Sequence, residues 1–213
     1  MWSMLCMPLA AAPADPAPDA RAHGAEDAAD AALVAAFKGG DVRTFDALFA
    51  RHGQPIFGYI YRSVGDPALA EELTQDVFLK AFLHLRRTAT ETTFKAWIYR
   101  IATTTCIDAH RAAARRPVVA PAEEALALLA DRAASDPEQR LIQREQRRAV
   151  RRTLEALPAH YRQALILRQL QGLSYAEIGG ALGVSVEAVT SLIHRARQAF
   201  RAAYSQQEQE IER

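Results

Sequence analysis

Hydroxyl, acidic and basic side chains that can bind nucleic acid cluster in the segment SYAEIGGALGVSVEAVTSLIHRAR at residues 174–197. Its spacing is that of a helix-turn-helix motif, in which Gly179 permits a close helix crossing and Gly183 suits the positive φ of the turn. A second helix starting at Ser185 would enter a DNA major groove with its N-terminal half. Helical hairpins in unrelated all-helical domains share this spacing, so the motif alone leaves the class of protein open.

The second helix of such a motif carries base-reading residues in its first turns and phosphate-binding residues further along. Arg195 and Arg197 are the predicted phosphate ligands, and His194 is also compatible with a plain surface histidine. The full set of predicted DNA-binding residues in this helix is Ser185, Val186, Glu187, Thr190, Ser191, His194, Arg195 and Arg197.

The net charge of +1 conceals two basic blocks. Residues 86–116 hold seven basic and two acidic residues, and residues 140–204 hold eleven arginines and four glutamates. Between them, residues 117–137 are acidic and contain three prolines. This distribution is typical of two modules that contact one polyanion and are joined by a linker.

The sequence contains few motifs that would indicate an enzyme. It has no glycine-rich phosphate loop and no paired-cysteine zinc spacing, so we expect no cofactor, no metal and no catalysed reaction. Cys106 and His110 are four residues apart and could supply two metal ligands, but the further ligands of a zinc site are not evident. No apolar run approaches the roughly 18 residues that a membrane span needs, and the N-terminus lacks the basic region of a secretory signal. We therefore expect a soluble protein.

The apolar pattern predicts an all-α fold of two small domains joined by a flexible linker. In the first domain we expect three helices: 41–65, in which Pro55 should kink or break the helix, 67–85 after an Asp66-Pro67 cap, and 94–116 capped by Thr93. In the second we expect four: 137–156, one from Pro158 to about Gly172, a short helix opened by a Ser174–Glu177 capping box, and a last helix that ends near Tyr204. An Ala/Pro/Asp-rich disordered leader at 1–27, a linker at 117–136 and a polar tail at 205–213 complete the predicted organisation.

Two blocks of the sequence resemble the bacterial RNA polymerase sigma factors. LPAHYRQALILRQLQGLSYAEIGGALGVSVEAVTSLIHRARQAF at 157–200 resembles region four, whereas AEELTQDVFLKAF at 70–82 and FKAWIYRIATTTCIDAHRAAARR at 94–116 resemble region two. The resemblance implies region two at 28–116 and region four at 137–204. Because the tether between them is too short for a further globular domain, the chain resembles the extracytoplasmic-function (ECF) group.

The resemblance also implies specific contacts. Region two would dock on the clamp helices of the polymerase largest subunit, and region four on the β-subunit flap. The implied clamp contacts are Glu72, Leu73, Gln75, Asp76, Phe78 and Leu79. The helix at 185–197 would read the minus-35 promoter element. The implied minus-10 contacts are Arg87, Thr88, Lys95, Trp97, Arg100, Thr103, Thr104, Arg111 and Arg115.

Some positions depart from the family pattern. Many relatives carry Arg-Asn where this chain has Thr103-Thr104, and a basic residue, serine and arginine where it has Thr190, Ser191 and Leu192. Fewer phosphate-binding side chains predict a shallower salt dependence, by roughly 0.9 in log–log slope for each phosphate that is no longer neutralised. Trp97 lies in the apolar stripe of its helix, which favours a core position over a base-stacking platform.

The resemblance implies an alternative sigma factor that binds core polymerase and promoter DNA in the cytoplasm and is held inactive by an anti-sigma factor. Two other hypotheses remain open. One is a stand-alone helix-turn-helix regulator that binds duplex DNA as a dimer, and the other is a protein that occupies polymerase and blocks it.

Overall fold

A computed structural model describes residues 20–87, 93–113 and 137–211, and all regular structure in these ranges is helical. The helices are α1 (Ala20–Lys38), α2 (Thr44–Val64), α3 (Pro67–Leu85), α4 (Phe94–Ala113), α5 (Pro137–Ala156), α6 (Ala159–Leu165), a π-helical segment (Ile166–Leu170), α7 (Tyr175–Leu182) and α8 (Val186–Ile211). The all-α fold with two helical domains is therefore confirmed. The predicted linker, 117–136, lies outside the described residues.

Helix α1 adds a fourth element to the predicted core of the first domain. Phe37 is fully buried, with its ring centroid 5.4 Å from those of Phe45 and Phe82. Asp30 on the same helix is buried and accepts hydrogen bonds from Arg51 and His52 of α2. The predicted disordered leader at 1–27 is wrong for residues 20–27, which are helical, and its first 19 residues lie outside the described ranges.

The boundary between α2 and α3 forms as the sequence indicated. Helix α2 ends at Gly65, whose φ is 81°, and the Asp66 side chain accepts hydrogen bonds from the backbone amides of Ala68 and Leu69 at 2.9 and 3.2 Å. Of the two alternatives expected for Pro55, a kink or a break in α2, the break is wrong, because the helix continues through the proline. Burial of Leu48, Ile56 and Ile60 on both sides of the proline stabilises the helix against the loss of one backbone hydrogen bond.

The second domain contains α5 to α8. Val150, Leu154, Leu165 and Phe200 form the apolar cluster between α5, α6 and α8. Helix α8 continues to Ile211, so the predicted polar tail at 205–213 is helical through that residue. Its apolar stripe ends near Tyr204, and the polar residues beyond simply extend the same helix.

The two domains pack against each other in this structure. Ile178 and Val189 of the second domain belong to the same continuous buried cluster as Ile98 and Tyr99 of the first. The Tyr99 hydroxyl donates a hydrogen bond to Oε1 of Gln171 at 2.7 Å. The contact joins helix α4 to the helix-turn-helix.

Candidate nucleic-acid and protein interfaces

The helix-turn-helix has the geometry that its sequence indicated. Ser174 and Glu177 form a reciprocal capping box at the start of α7, with the Ser174 amide 2.7 Å from Oε2 of Glu177. Gly183 ends α7 with φ of 70°. A Cβ atom on Gly179 would lie 2.9 Å from the backbone oxygen of Val184, so a glycine is needed where the turn crosses α7.

The first turns of α8 present the predicted minus-35 residues to solvent. Ser185 caps the helix by accepting a hydrogen bond from the Ala188 amide at 3.3 Å. The pKa of Glu187 is lowered by a hydrogen bond from its own backbone amide and by one from the Ser185 hydroxyl. Arg197 alone among the predicted minus-35 residues is half-buried. The exposed members are Ser185, Val186, Glu187, Thr190, Ser191, His194 and Arg195.

Helix α3 divides the predicted polymerase contacts between two faces. Leu73 and Phe78 are 8% and 4% exposed and pack in the core, so the structure does not offer them as direct contacts. The positions follow from helix geometry, since each lies on the stripe that faces α2 and α4. The exposed members of the set are Glu72, Gln75, Asp76 and Leu79.

The exposed face of α3 also contains Phe82 and Leu83, two apolar residues outside the predicted set. Phe82 is 38% exposed and Leu83 is 58% exposed, and Leu79 of the predicted set is 57% exposed. Leu83 lies one turn beyond Leu79 on the same face of α3. This i, i+4 spacing could have identified Leu83 as a further contact from the sequence. Neighbouring acidic and apolar side chains on one helix suit a protein interface with an apolar centre and a charged rim.

The predicted minus-10 residues are distributed unevenly over α4. Lys95 and Trp97 are half-buried, and Trp97 packs against the core with its ring centroid 5.9 Å from that of Phe94. Thr88 and Arg115 lie outside the described residues. The exposed members are Arg87, Arg100, Thr104 and Arg111.

Thr103 is a correction to the predicted minus-10 set. Its side chain is 3% exposed, and its hydroxyl lies 2.8 Å from that of Tyr59 in the core of the first domain. Tyr99 and Cys106, four residues before and three after it, are buried on the same face of α4. The structure therefore gives Thr103 a role in packing rather than a contact with DNA.

The buried titratable groups of α4 are engaged within the protein. Burial raises the pKa of the Cys106 thiol to about 12, although a hydrogen bond with Ser63 opposes the shift. Burial also lowers the pKa of His110, whose Nε2 donates to the Ser63 carbonyl at 2.9 Å. Cys106 is therefore a packed, uncharged thiol, and one ring nitrogen of His110 is committed to the backbone.

Comparison with known proteins identifies both domains. Residues 48–116 match Sigma-70 region 2, and residues 147–200 match Sigma-70, region 4. The chain is 36% identical to the RNA polymerase sigma-H factor of Pseudomonas aeruginosa over 176 residues, which cover 80% of this chain and 91% of that protein. It is 34% identical to the ECF RNA polymerase sigma-E factor of Escherichia coli K12 over 185 residues, which cover 82% and 94%.

Solved structures have the same fold. The structure of CnrH in complex with the cytosolic domain of CnrY matches with a TM-score of 0.60 at 28% identity, covering 82% of this chain and 96% of that one. The sigma factor RpoE of Bartonella quintana, solved with the anti-sigma factor NepR, matches with a TM-score of 0.56 at 19% identity, covering 76% and 96%.

The chain therefore belongs to the bacterial RNA polymerase sigma factors of the sigma-70 family, in their extracytoplasmic-function group. It is an alternative sigma factor and not a stand-alone helix-turn-helix regulator.

Within the described residues, no single helix has the length and hydropathy to cross a membrane. Helices Tyr175–Leu182 and Val186–Gln207 meet the length and hydropathy criteria only when they are counted together, and they are bent by 95° at the turn between them.

Proposed function

We propose that this sigma factor joins core RNA polymerase through the exposed face of α3, against the clamp helices of the largest subunit. The observation that carries the proposal is that one helix face presents Glu72, Gln75, Asp76 and Leu79 together, beside the apolar side chains of Phe82 and Leu83. The carboxylates suit basic partners and the apolar residues suit a desolvated centre. Leu73 and Phe78 act indirectly, because their burial fixes the orientation of that face.

The N-terminal half of α8 reads the minus-35 element in the major groove. Glu187 stands in the first turn as an ionised acceptor that suits the amino group of cytosine, and Thr190, Ser191 and His194 lie along the same exposed surface. Arg195 and Arg197 bind phosphates. This assignment accounts for the exposure of Glu187, Thr190, Ser191 and His194 along the first half of α8.

Helix α4 and the residues before it bind the minus-10 element. Arg87 lies where the loop begins, and Arg100, Thr104 and Arg111 offer polar and charged contacts to a separated strand. Unstacking a base costs a few kcal/mol, which charge and stacking contacts with a single strand offset. Lys95 and Trp97 contribute at the half-buried edge of the helix, and Thr88 and Arg115 complete the predicted set.

Region four also contacts the β-subunit flap. An anti-sigma factor holds the protein inactive, and the support for this partner is that the sigma factor of Bartonella quintana was solved with an anti-sigma factor. The protein acts in the cytoplasm, where polymerase and chromosome meet, without inserting into the membrane. It catalyses no reaction of its own and uses no cofactor or metal.

A charge-matched pair of variants tests the polymerase contact. Glu72→Gln with Asp76→Asn removes two carboxylates from the proposed interface, and Glu145→Gln with Asp46→Asn removes the same two groups from exposed positions on α5 and α2. In titrations of labelled protein with core polymerase, we expect roughly fivefold to tenfold weaker binding and a shallower salt dependence for the first variant only. Equal affinity of the two variants would contradict the proposed contact.

A further inference from the structure

The start of helix α8 presents valine side chains to solvent. Val184 and Val186, on either side of Ser185, are 42% and 45% exposed, whereas Val189 in the same helix is fully buried. A single exposed apolar side chain is ordinary on a protein surface. Val186, however, stands in the first turn of the helix that the proposed function places against the DNA bases.

Thr190 adds a second methyl group beside Val186. The two residues are four apart in α8, which places their Cβ atoms about 5–6 Å from each other on one side of the helix. The Thr190 hydroxyl donates a hydrogen bond to the Val186 carbonyl at 3.1 Å. Because the helix backbone uses the hydroxyl proton, the methyl group is the part of this exposed side chain that remains for a partner. Val186 and Thr190 therefore form a small apolar surface.

The Ser185 hydroxyl is also engaged within the protein. It accepts a hydrogen bond from the Ala188 amide at 3.3 Å and donates one to the Glu187 carboxylate. In the stretch 185–190, all of which the structure describes, Ser185 and Thr190 are the only side chains with a hydrogen-bond donor. The start of α8 thus offers the bases methyl groups and a carboxylate, and both hydroxyl protons are already used.

These groups match the major-groove edges of pyrimidines. Both purines present the acceptor N7, which needs a donor and is repelled by a carboxylate. Cytosine presents an amino donor and thymine presents a C5 methyl group. The amino group of cytosine suits Glu187, so the methyl group of thymine is the match for Val186 and Thr190.

We propose that Val186 and Thr190 determine promoter specificity by packing against the C5 methyl group of a thymine in the minus-35 element. Thr190 contributes its methyl group and not its hydroxyl. This inference rests on the proposed reading of the minus-35 element by α8, and it adds the base that this part of the helix selects.

Replacement of single thymines by deoxyuridine tests the contact, because it removes the methyl group and keeps the base pairing. Holoenzyme, formed from core polymerase and the full chain, first selects duplexes from a random-sequence library. Each thymine in the upstream half of a selected duplex is then replaced singly. The affinity of holoenzyme for each modified duplex is measured in competition with the unmodified duplex.

Four variants are compared with the wild type. Val186→Ala removes methyl groups from the proposed contact. Thr190→Ser keeps the hydroxyl and removes the methyl group, whereas Thr190→Val keeps the methyl group and removes the hydroxyl. Val42→Ala is the matched control, since Val42 is also 45% exposed but precedes α2 in the first domain.

We expect the wild type to bind about threefold to fourfold more weakly when one thymine of the upstream motif becomes uracil, the factor that corresponds to burial of one methyl group. Val42→Ala should show the same loss. Val186→Ala and Thr190→Ser should bind the two duplexes more nearly equally, and Thr190→Val should discriminate at least as strongly as the wild type. Because each ratio compares two duplexes bound by one variant, changes in fold stability or in affinity for core cancel.

A selected upstream motif without thymine, or with thymines whose replacement is neutral, would overturn the inference and leave the proposed minus-35 role of α8 standing. Equal discrimination by Val186→Ala and Val42→Ala would overturn it as well. Discrimination lost in Thr190→Val but kept in Thr190→Ser would do the same, because the hydroxyl would then read the base. If holoenzyme selected no upstream motif, the proposed function would fail, and the inference with it.

Discussion

Asp30 is the buried acid that attaches α1 to α2. Its carboxylate accepts hydrogen bonds from Nη1 of Arg51 at 2.5 Å and from Nε2 of His52 at 2.7 Å. Burial raises its pKa, but the hydrogen bonds and charges of His52 and Arg51 outweigh burial and hold the pKa below its usual range. Asp30→Asn keeps the shape and removes the charge, so we expect the free energy of unfolding at pH 7 to fall by about 2 kcal/mol.

The pH dependence of this effect has a definite sign. Because the pKa of Asp30 is lower in the folded state, its charge stabilises the fold above the unfolded value of about 3.9, and this stabilisation is lost as the pH falls through the folded value. The difference between wild type and Asp30→Asn should be full above about pH 5 and should shrink below about pH 4. Urea denaturation at several pH values measures it, with the exposed Asp46→Asn as control. A pH-independent difference would contradict the ion-pair account.

Variants of Thr103 and Arg100 on α4 distinguish a role in core packing from a contact with DNA. Thr103→Val removes the hydrogen bond to Tyr59, and we expect about 1 kcal/mol lower stability with no change in the salt dependence of DNA binding. Arg100→Ala, at an exposed position, should leave stability nearly unchanged and reduce the log–log salt slope by about 0.7 if the arginine contacts a single strand. Holoenzyme binding to an opened promoter, titrated with salt, provides the comparison. If Thr103→Val altered the salt dependence of DNA binding, Thr103 would contact DNA and the packing role would be contradicted.

At the level of single residues, the sequence predicted which types of side chain form the interfaces better than it predicted which of those side chains face solvent. The resemblance selected Leu73, Phe78 and Thr103 as contacts by motif position, whereas the structure buries all three. Helix phase distinguishes them: Thr103 is four residues after the buried Tyr99, and only Thr104 of the adjacent pair faces solvent. The exposed set on α8 needed no such correction, because a short turn leaves its first residues uncovered.

Gly179 tests the helix-turn-helix as an element. A Cβ atom at this position would lie 2.9 Å from the Val184 carbonyl oxygen, so Gly179→Ala should lower the free energy of unfolding by about 1–3 kcal/mol despite the higher helix propensity of alanine. Gly24→Ala in α1 has open space and should be neutral or stabilising by up to about 1 kcal/mol. Thermal unfolding followed by circular dichroism compares them. Equal or greater stability of Gly179→Ala would show that the crossing is not tight.

Elements with strong capping signals were predicted at the observed positions, whereas α1 was not predicted. Asp66-Pro67, the Ser174–Glu177 box and Gly183 all act where the sequence placed them, because each signal is local. Helix α1 was not predicted as an element because its alanine-rich, acidic sequence resembles a disordered leader. Its buried residues Asp30, Val34 and Phe37 follow helical spacing, but only their tertiary partners on α2 and α3 show that this face packs.

The whole molecule contains the feature that no local pattern could reveal. The two domains and their order follow from the sequence, but the side-chain hydrogen bond between them joins Tyr99 to Gln171, which is 72 positions away. Nothing in the spacing of either motif encodes that pairing.

Run-off transcription tests the central claim most directly. Core polymerase is given fragmented genomic DNA of the source organism, with and without this protein, and the 5′ ends of the transcripts are sequenced. We predict new start sites that share a two-part upstream motif and that weaken with Glu72→Gln plus Asp76→Asn but persist with Glu145→Gln plus Asp46→Asn. Binding to core without new start sites would contradict the account and would identify a protein that blocks polymerase instead.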